Sequence, residues 1–288
     1  MDDDVQRQAR SFGSVAERYH RGRPAFPRDA ARWLAGADPT TVLELGAGTG
    51  KLTAELVDLG HDVHATEPDA DMLAVLRRTL PDVPTSQAPA EEIPLTDRSV
   101  DVVVVAQAFH WFDHDRALPE IARVLRPGGH LALTWNLRDE RIPWVRKLGA
   151  LLGSPGSETT DSTQALVQSD LFGFVEEKDF HFWQGVDRDS ILDMAASRSY
   201  VATLDDEARE AKLAEVLAFY DDYGRGMDGM QLPYDCRCYR ARVIDRPERG
   251  EPEPEDDTDT PADPQPRERS DGQVSDGTDT DMLLIDFR

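Results

Sequence analysis

Between residues 41 and 135 the chain alternates apolar stretches of strand length with segments of helical pattern, and this alternation limits the architecture more than any other feature. Thr41–Leu45, Asp62–Thr66, Val100–Ala106 and His130–Trp135 read as strands. Leu52–Leu59, Ala70–Leu80 and Arg116–Leu125 read as helices, the last stopped by Pro127-Gly128-Gly129. The run from Val100 to Ala106 is β-branched and almost continuously apolar, the pattern of a strand buried on both faces. With the βαβα order it predicts an α/β, Rossmann-like, doubly wound parallel sheet covered by helices on both sides. Further on come a helix (Pro143–Leu152), a strand (Phe174–Trp183), helices over Ser190–Ala196 and Glu207–Tyr223, and an alternating strand from Tyr234 to Ile244. Cys236 and Cys238 lie two apart on that last strand, so both point to one face, in the core and without a mutual disulfide.

The first strand turns into the first helix through Leu43-Glu44-Leu45-Gly46-Ala47-Gly48-Thr49-Gly50. Three alternate glycines permit positive φ and close approach of a ligand to the helix N-terminus. Phosphate, dinucleotide and nucleoside loops share these properties. A Walker A loop needs glycine at position 45 and Ser or Thr at 52, where this chain has Leu45 and Leu52. The dinucleotide fingerprint fails as well, its third glycine arriving one residue early. Glu67 ends the second strand, where a carboxylate can accept both hydroxyls of a ribose lying across the switch point of the sheet.

Together these segments resemble class I S-adenosylmethionine-dependent methyltransferases. Glu44-Leu45-Gly46-Ala47-Gly48-Thr49-Gly50 is similar to their first motif, and Thr66-Glu67-Pro68-Asp69 with Met72-Leu73 to their second. Ala90-Glu91-Glu92-Ile93-Pro94-Leu95 resembles the segment after their third strand. Ser99 to Ala106 with Phe109-His110-Trp111 resembles the fourth strand and its loop, and Val124 to Gly129 the turn before the fifth. Phe12-Gly13, Ala16, Tyr19 and Arg23-Pro24 are shared with the small-molecule type 11 branch and its trans-aconitate-methyltransferase-like members. The resemblance implies a seven-stranded, mostly parallel sheet with an antiparallel last strand. It divides the chain into an N-terminal lid and helix (1–37), a methyltransferase domain (38–245) and a remainder (246–288). It also implies roles: Gly46, Ala47, Gly48 and Gly50 line the methionine and ribose part of S-adenosyl-L-methionine, and Glu67 holds the ribose hydroxyls. Pro68 and Met72 pack on adenine, Ala90 and Glu91 face its edge, Gln107 and Phe109 flank the sulfonium, and Tyr19 covers the methyl site. Glu44 fixes the loop or touches ligand, and Trp111 reads as packing.

Methyl transfer from a sulfonium is an in-line displacement, which needs alignment in a dry pocket but no metal. A general base helps where the acceptor must lose a proton; His110, then His114, are the candidates, placed just after the fourth strand. An anionic acceptor needs positive charge instead, and Arg21, Arg23, Arg138 and Arg141 are the candidate cations. The expected acceptor is a small molecule modified on oxygen or carbon, a carboxylate included. A non-catalytic S-adenosylmethionine-binding sensor or scaffold is the alternative, with intact Gln107, Phe109 and His110 favouring chemistry.

Charge narrows the partners. The chain holds 56 acids against 32 Lys and Arg, a net −24, which repels a nucleic-acid backbone or an anionic membrane surface. The longest purely apolar run, Val102–Ala106, is far below the roughly 18 residues of a membrane span. With no basic leader at Met1-Asp2-Asp3-Asp4, the expected location is cytoplasmic. Acids comprise 37 Asp and 19 Glu, while bases comprise 28 Arg and only 4 Lys. Short carboxylates hold water and cations, and high salt screens their repulsion, so this bias reads as salt adaptation. Residues 246–288 carry 14 acids against 5 Arg, with almost nothing apolar before Met282, and read as a disordered acidic tail.

Overall fold

Strands β1 (Thr41–Leu45), β2 (Asp62–Thr66), β3 (Thr85–Ser86), β4 (Val100–Ala106), β5 (Leu125–Arg138), β6 (Phe172–Val186) and β7 (Met230–Val243) form one sheet, ordered β3-β2-β1-β4-β5-β7-β6. The computed structural model describes residues 16–152, 158–196, 201, 204–223 and 229–244, and these belong to one unit, Met1–Arg246. The tail reading of 246–288, together with Phe12 and Gly13, lies outside the described residues. Helices are α1 (residues 16–22), α2 (Arg28–Ala35), α3 (Lys51–Asp58), α4 (Ala70–Thr79), α5 (His114–Val124), α6 (Pro143–Leu152), α7 (Glu158–Gln168), α8 (Arg188–Ala196) and α9 (Asp206–Tyr223).

β3, β2, β1, β4 and β5 run parallel, and β7 is antiparallel to both β5 and β6. Leu43, Leu45, Val103, Val105, Leu131 and Leu133 point to one face, under Ile121 of α5. Val42, Val102, Val104 and Ala132 point to the other, under Leu34 of α2 and Leu52 and Leu56 of α3. Both faces are therefore dry, which is why these strands read as unbroken apolar runs rather than as alternating ones. His130 is joined to Leu34 O at 2.7 Å and Asn136 Nδ2 donates to Ala25 O at 3.2 Å, tying the N-terminal segment to the sheet.

The turn expected at Pro127-Gly128-Gly129 is absent. β5 starts at Leu125, directly after α5, and these residues form an irregularity between the pairs Val100↔Leu125 and Val102↔His130. Gly129 is required there, because a Cβ on it would lie 2.7 Å from Asp101 O. β6 and β7 are longer than their sequence ranges because each pairs fully with the other, from Phe172↔Val243 to Val186↔Met230. β3 is two residues long and α7 is mostly polar, so neither carries a periodic signal. Cys236 and Cys238 are buried and free, their Sγ atoms 3.8 Å apart and both in contact with Thr134 Oγ1, as their spacing predicts. Among the described residues no helix is long and apolar enough to cross a membrane, and no cluster of metal-ligating side chains is found.

Candidate active site

β1 has β2 on one side and β4 on the other, so connections leave its C-terminal end in opposite directions and open a crevice there. The glycine loop crosses this crevice. Gly46, Gly48 and Gly50 have φ of 64°, 57° and 86°. A Cβ on Gly46 would lie 2.7 Å from Ala108 Cβ, whereas one on Gly48 would meet nothing within 4 Å. Gly48 thus presents bare backbone to open space, and Gly46 lets β1 pass close to the end of β4. Gly50 does something else: it caps α3 and packs against α4, where a Cβ would be 3.0 Å from Leu76 Cγ. It lines no described cavity.

Glu67 is held from two sides, Gly48 N donating to Oε2 at 2.8 Å and Asp69 N to Oε1 at 3.0 Å. Burial pushes its carboxyl above the ordinary value, against the lowering effect of those two hydrogen bonds. Each oxygen keeps a further lone pair, so the carboxylate can still accept two hydroxyls. Asp69 caps α4 by accepting from Asp71 N and Met72 N, both at 2.9 Å, which brings Met72 to the crevice wall rather than into the core. Glu44 is buried beneath the loop and accepts from Thr53 Oγ1 at 2.6 Å. With so little water around it, its carboxyl is pushed up to about 8.

Two cavities open from this crevice. The larger, about 420 Å³, is walled by Tyr19, Gly46, Gly48, Glu67, Pro68, Asp69, Met72, Ala90, Glu91, Gln107, Ala108, Trp111 and Phe112, among others. The smaller, about 60 Å³, is walled by Tyr19, Arg23, Glu44, Gly46, Ala47, Gly48, Thr49, Lys51 and Gln107, among others. Helix α1 roofs both. Arg78 pairs with Glu17 at 3.0 Å, His20 meets Thr49 Oγ1 at 3.0 Å, and Arg21 pairs with Asp193 at 2.7 Å, so α1 is tied to α4, to the glycine loop and to α8. Gly22 packs so closely on α8 that a Cβ would be 2.6 Å from Asp193 C.

At the end of β4, Gln107 has a φ of 61°, a conformation that costs a non-glycine residue about 1 kcal/mol or more. Its N–H donates to Thr134 O at 2.9 Å and its side-chain amide to Asn136 O at 3.3 Å, which fixes it between the two cavities. Gln107→Gly removes the strain and the amide together. The expected result is an equal or higher thermal midpoint with turnover reduced at least about tenfold; a variant with full turnover would show that the strained geometry serves no step.

Several sequence expectations change here. Phe109 lines neither cavity: its ring is fully buried in the core with Val105 and Ile121, stacked on His114 at 4.6 Å. Burying that ring outweighs exposing it to the crevice, and Ala108 and Phe112 take the wall position instead. Trp111 is not packing, since it is 78% exposed on the rim of the larger cavity. His110 lies outside both cavity walls, its ring 4.7 Å from that of Trp111, and His114 is engaged with Phe109 O at 3.0 Å. Of the candidate cations, Arg21 is paired with Asp193, and Arg141 with Asp139 and Asp235. Arg23 and Arg138 differ, Arg23 keeping a buried Nε and Arg138 a buried Nε and Nη2 without a hydrogen-bond acceptor. Sequence spacing gave no sign of Lys51, Thr49 or Phe112 as wall residues.

A methyltransferase-domain family model matches residues 43–133, from β1 through most of β5. An uncharacterized methyltransferase of Mycobacterium tuberculosis is 45% identical over 236 residues, covering 81% of this chain and 96% of the relative. The chain belongs to the type 11 S-adenosylmethionine-dependent methyltransferases. A malonyl-[acyl-carrier protein] O-methyltransferase of Methylococcus capsulatus is 35% identical to the methyltransferase over 150 residues, covering 46% of this chain and 54% of that protein. The solved structure of a putative type II methyltransferase from Anaeromyxobacter dehalogenans superposes with a TM-score of 0.52 at 26% identity, covering 76% of this chain and 97% of that one. The cofactor of this enzyme is S-adenosyl-L-methionine. Its site fits on geometry: Gly48 leaves room above the loop, Glu67 keeps acceptor capacity at its edge, and Pro68 and Met72 form an apolar wall beside it.

Proposed function

We propose that this methyltransferase acts on a small acceptor bearing a carboxylate, and that the carboxylate oxygen takes the methyl group. One observation supports the reading above the others. Arg138 ends β5 with a side chain only 3% exposed, its Nε and Nη2 lack acceptors, and its ion pair with Glu140 is long, at 3.8 Å. A buried guanidinium with unused donors is costly unless an anion completes it. It extends from the same face of β5 as Asn136, which holds the lid segment through Ala25 O and has a buried Oδ1 without a donor. Both groups are buried, and Asn136 ties this face of β5 to the segment after α1, although neither side chain is among those that wall the two cavities. One relative is named as an O-methyltransferase of a carrier-bound malonyl group, so an acyl acceptor modified on oxygen has a counterpart among the relatives.

Bound S-adenosyl-L-methionine supplies an activated methyl group on a sulfonium. The chain's own work is to hold the acceptor anion by Arg138, keep its reacting oxygen in line from the Gln107 side, and exclude water under α1. A carboxylate carries no proton to remove, so His110 has no base to be in this reaction.

A panel of small di- and tricarboxylates beside neutral phenols, assayed by S-adenosylhomocysteine release, tests the reading. Carboxylates are the expected substrates. Arg138→Met should raise the acceptor KM at least about tenfold, leave S-adenosylhomocysteine affinity unchanged, and keep or raise the thermal midpoint because a buried charge with only a long ion pair to Glu140 is gone. Turnover of phenols alone, or an unchanged KM, would exclude it. We also infer that the enzyme works in a cytoplasm of high salt, from its Asp-rich, Lys-poor composition. Its thermal midpoint should rise from dilute buffer to molar potassium chloride; an optimum in dilute buffer would sink that inference.

A further inference from the structure

β6 closes the sheet on one side: among the described residues only β7 pairs with it, so its outer edge, 15 residues long, offers backbone N–H and C=O groups to any strand that meets it. An edge of that length is ordinarily blunted by proline, a bulge or charge. β6 contains no proline, and its one irregularity lies at its start, between Phe172 and Val175. Most of the charges at its middle are engaged within the same copy. Glu176 pairs with Arg240 at 2.7 Å, Glu177 bonds the Tyr239 side chain, and Lys178 lies over the Phe180 ring at 5.0 Å. Near its two ends large apolar side chains face solvent, Phe174 being 86% exposed and Trp183 62%.

Two copies of one strand can join antiparallel about a two-fold axis normal to the sheet, and side-chain alternation then pairs even positions with even and odd with odd. Centred on Phe180, β6 complements itself. Phe180 meets its own copy at the axis, Asp179 lies opposite His181 in both directions, Lys178 opposite Phe182, and Phe174 opposite Val186. Trp183 falls diagonal to Val175, within reach of an indole. Neighbouring registers are worse. Centred on Asp179, two carboxylates meet at the axis; centred on Lys178, two ammonium groups meet and Glu177 opposes Asp179; centred on His181, no acid faces a base. His181 Nδ1 meets Asp235 Oδ1 at 2.5 Å, which orders the ring, and Asp179 has no hydrogen bond or ion pair among the described residues.

We propose that two copies of this methyltransferase join edge to edge through β6, making their two seven-stranded sheets one continuous sheet about an axis at Phe180. The edge lies beyond β5 and β7 from β4, so the crevice of each copy stays as it is. Each copy carries a net −24, and salt screens the repulsion between them, so the pair is strongest in concentrated salt.

Sedimentation equilibrium of the full chain in molar potassium chloride should give the mass of two copies, dissociating on dilution. Asp179→Lys reverses the charge facing His181 while making the chain less acidic, so general repulsion falls and only loss of the specific pair can weaken association. It should raise the dissociation constant at least about tenfold, with the circular dichroism spectrum and S-adenosylhomocysteine affinity unchanged. Cross-linking reads the register. Chains carrying Asp179→Cys and His181→Cys, mixed and oxidised with glutathione disulfide, should form a covalent pair that neither forms alone, because only directly opposed residues come within the span of a disulfide. The mass of a single copy at every concentration in molar salt would overturn the proposal. A two-copy mass that survives Asp179→Lys and yields no mixed cross-link would overturn it too, since the copies would then meet through another face.

Discussion

Glu67→Ala is expected to weaken S-adenosylhomocysteine binding by about a hundredfold or more. On the reading that Glu67 holds both ribose hydroxyls, two hydrogen bonds to a charged group are lost, each worth about 1.5–3 kcal/mol. Gly48 N and Asp69 N also lose their acceptor, so the loop that shapes the cavity is released on one side. The unliganded fold should change little in stability, because removing those bonds also removes a carboxylate that burial disfavours. Calorimetry gives the affinity and circular dichroism the thermal midpoint. Glu67→Gln separates the contributions: its one remaining carbonyl oxygen can keep either backbone N–H but not both hydroxyls, so its affinity should fall between the two. Binding of the alanine variant within threefold of wild type would mean that the nucleoside lies elsewhere.

How much of this was legible beforehand depended on the kind of signal. β1 and β4 were readable to the residue because they are mostly apolar and buried, ending before Gly46 and Gln107, while the shorter β2, which alternates Asp62 and His64 with Val63 and Ala65, was readable from its place between two helices. The positive φ of Gly46, Gly48 and Gly50 and the place of Glu67 just after β2, against the glycine loop, were readable because glycine spacing and strand ends are local signals. The lid contacts were not. Glu17 with Arg78, His20 with Thr49 and Arg21 with Asp193 join residues 29 to 172 positions apart, and no local pattern carries such pairings. The loop after β4 misled for a different reason. Three aromatic residues, Phe109, Trp111 and Phe112, compete there for one core position, and only the positive φ of Gln107 and the short 3₁₀ turn that follows decide that Phe109 wins it. Arg138 and Arg141 look equivalent in sequence, three residues apart. The strand buries one, while the loop lets the other reach Asp139 and Asp235, so partner geometry alone separates a structural arginine from a candidate for binding.

Glu44 shows the cost of building such a site on a strand that is dry on both sides. In the folded protein its carboxyl titrates at about 8, raised from an ordinary 4.5 mainly by burial, against the bond from Thr53 and with a smaller push from Glu67. Between those two values the folded chain keeps a proton that the unfolded chain gives up. The stability associated with Glu44 is therefore fully present below about pH 4.5, declines as pH rises through this window at up to about 1.4 kcal/mol per pH unit, and levels off above about 8. Glu67, also raised, acts in the same direction. Glu44→Gln keeps an oxygen for the Thr53 hydroxyl and carries no charge to bury, so its stability should vary much less with pH. The two proteins should be similar near pH 5, and the variant should be more stable by a few kcal/mol at pH 8 and above. Urea midpoints measured from pH 5 to 9 check this; parallel curves for the two proteins would show that Glu44 is ionised in the fold, stabilised by charge rather than opposed by burial. Retained S-adenosylhomocysteine affinity in Glu44→Gln would further assign this residue to holding the loop through Thr53, with the ligand itself left to Glu67 and the glycine backbone.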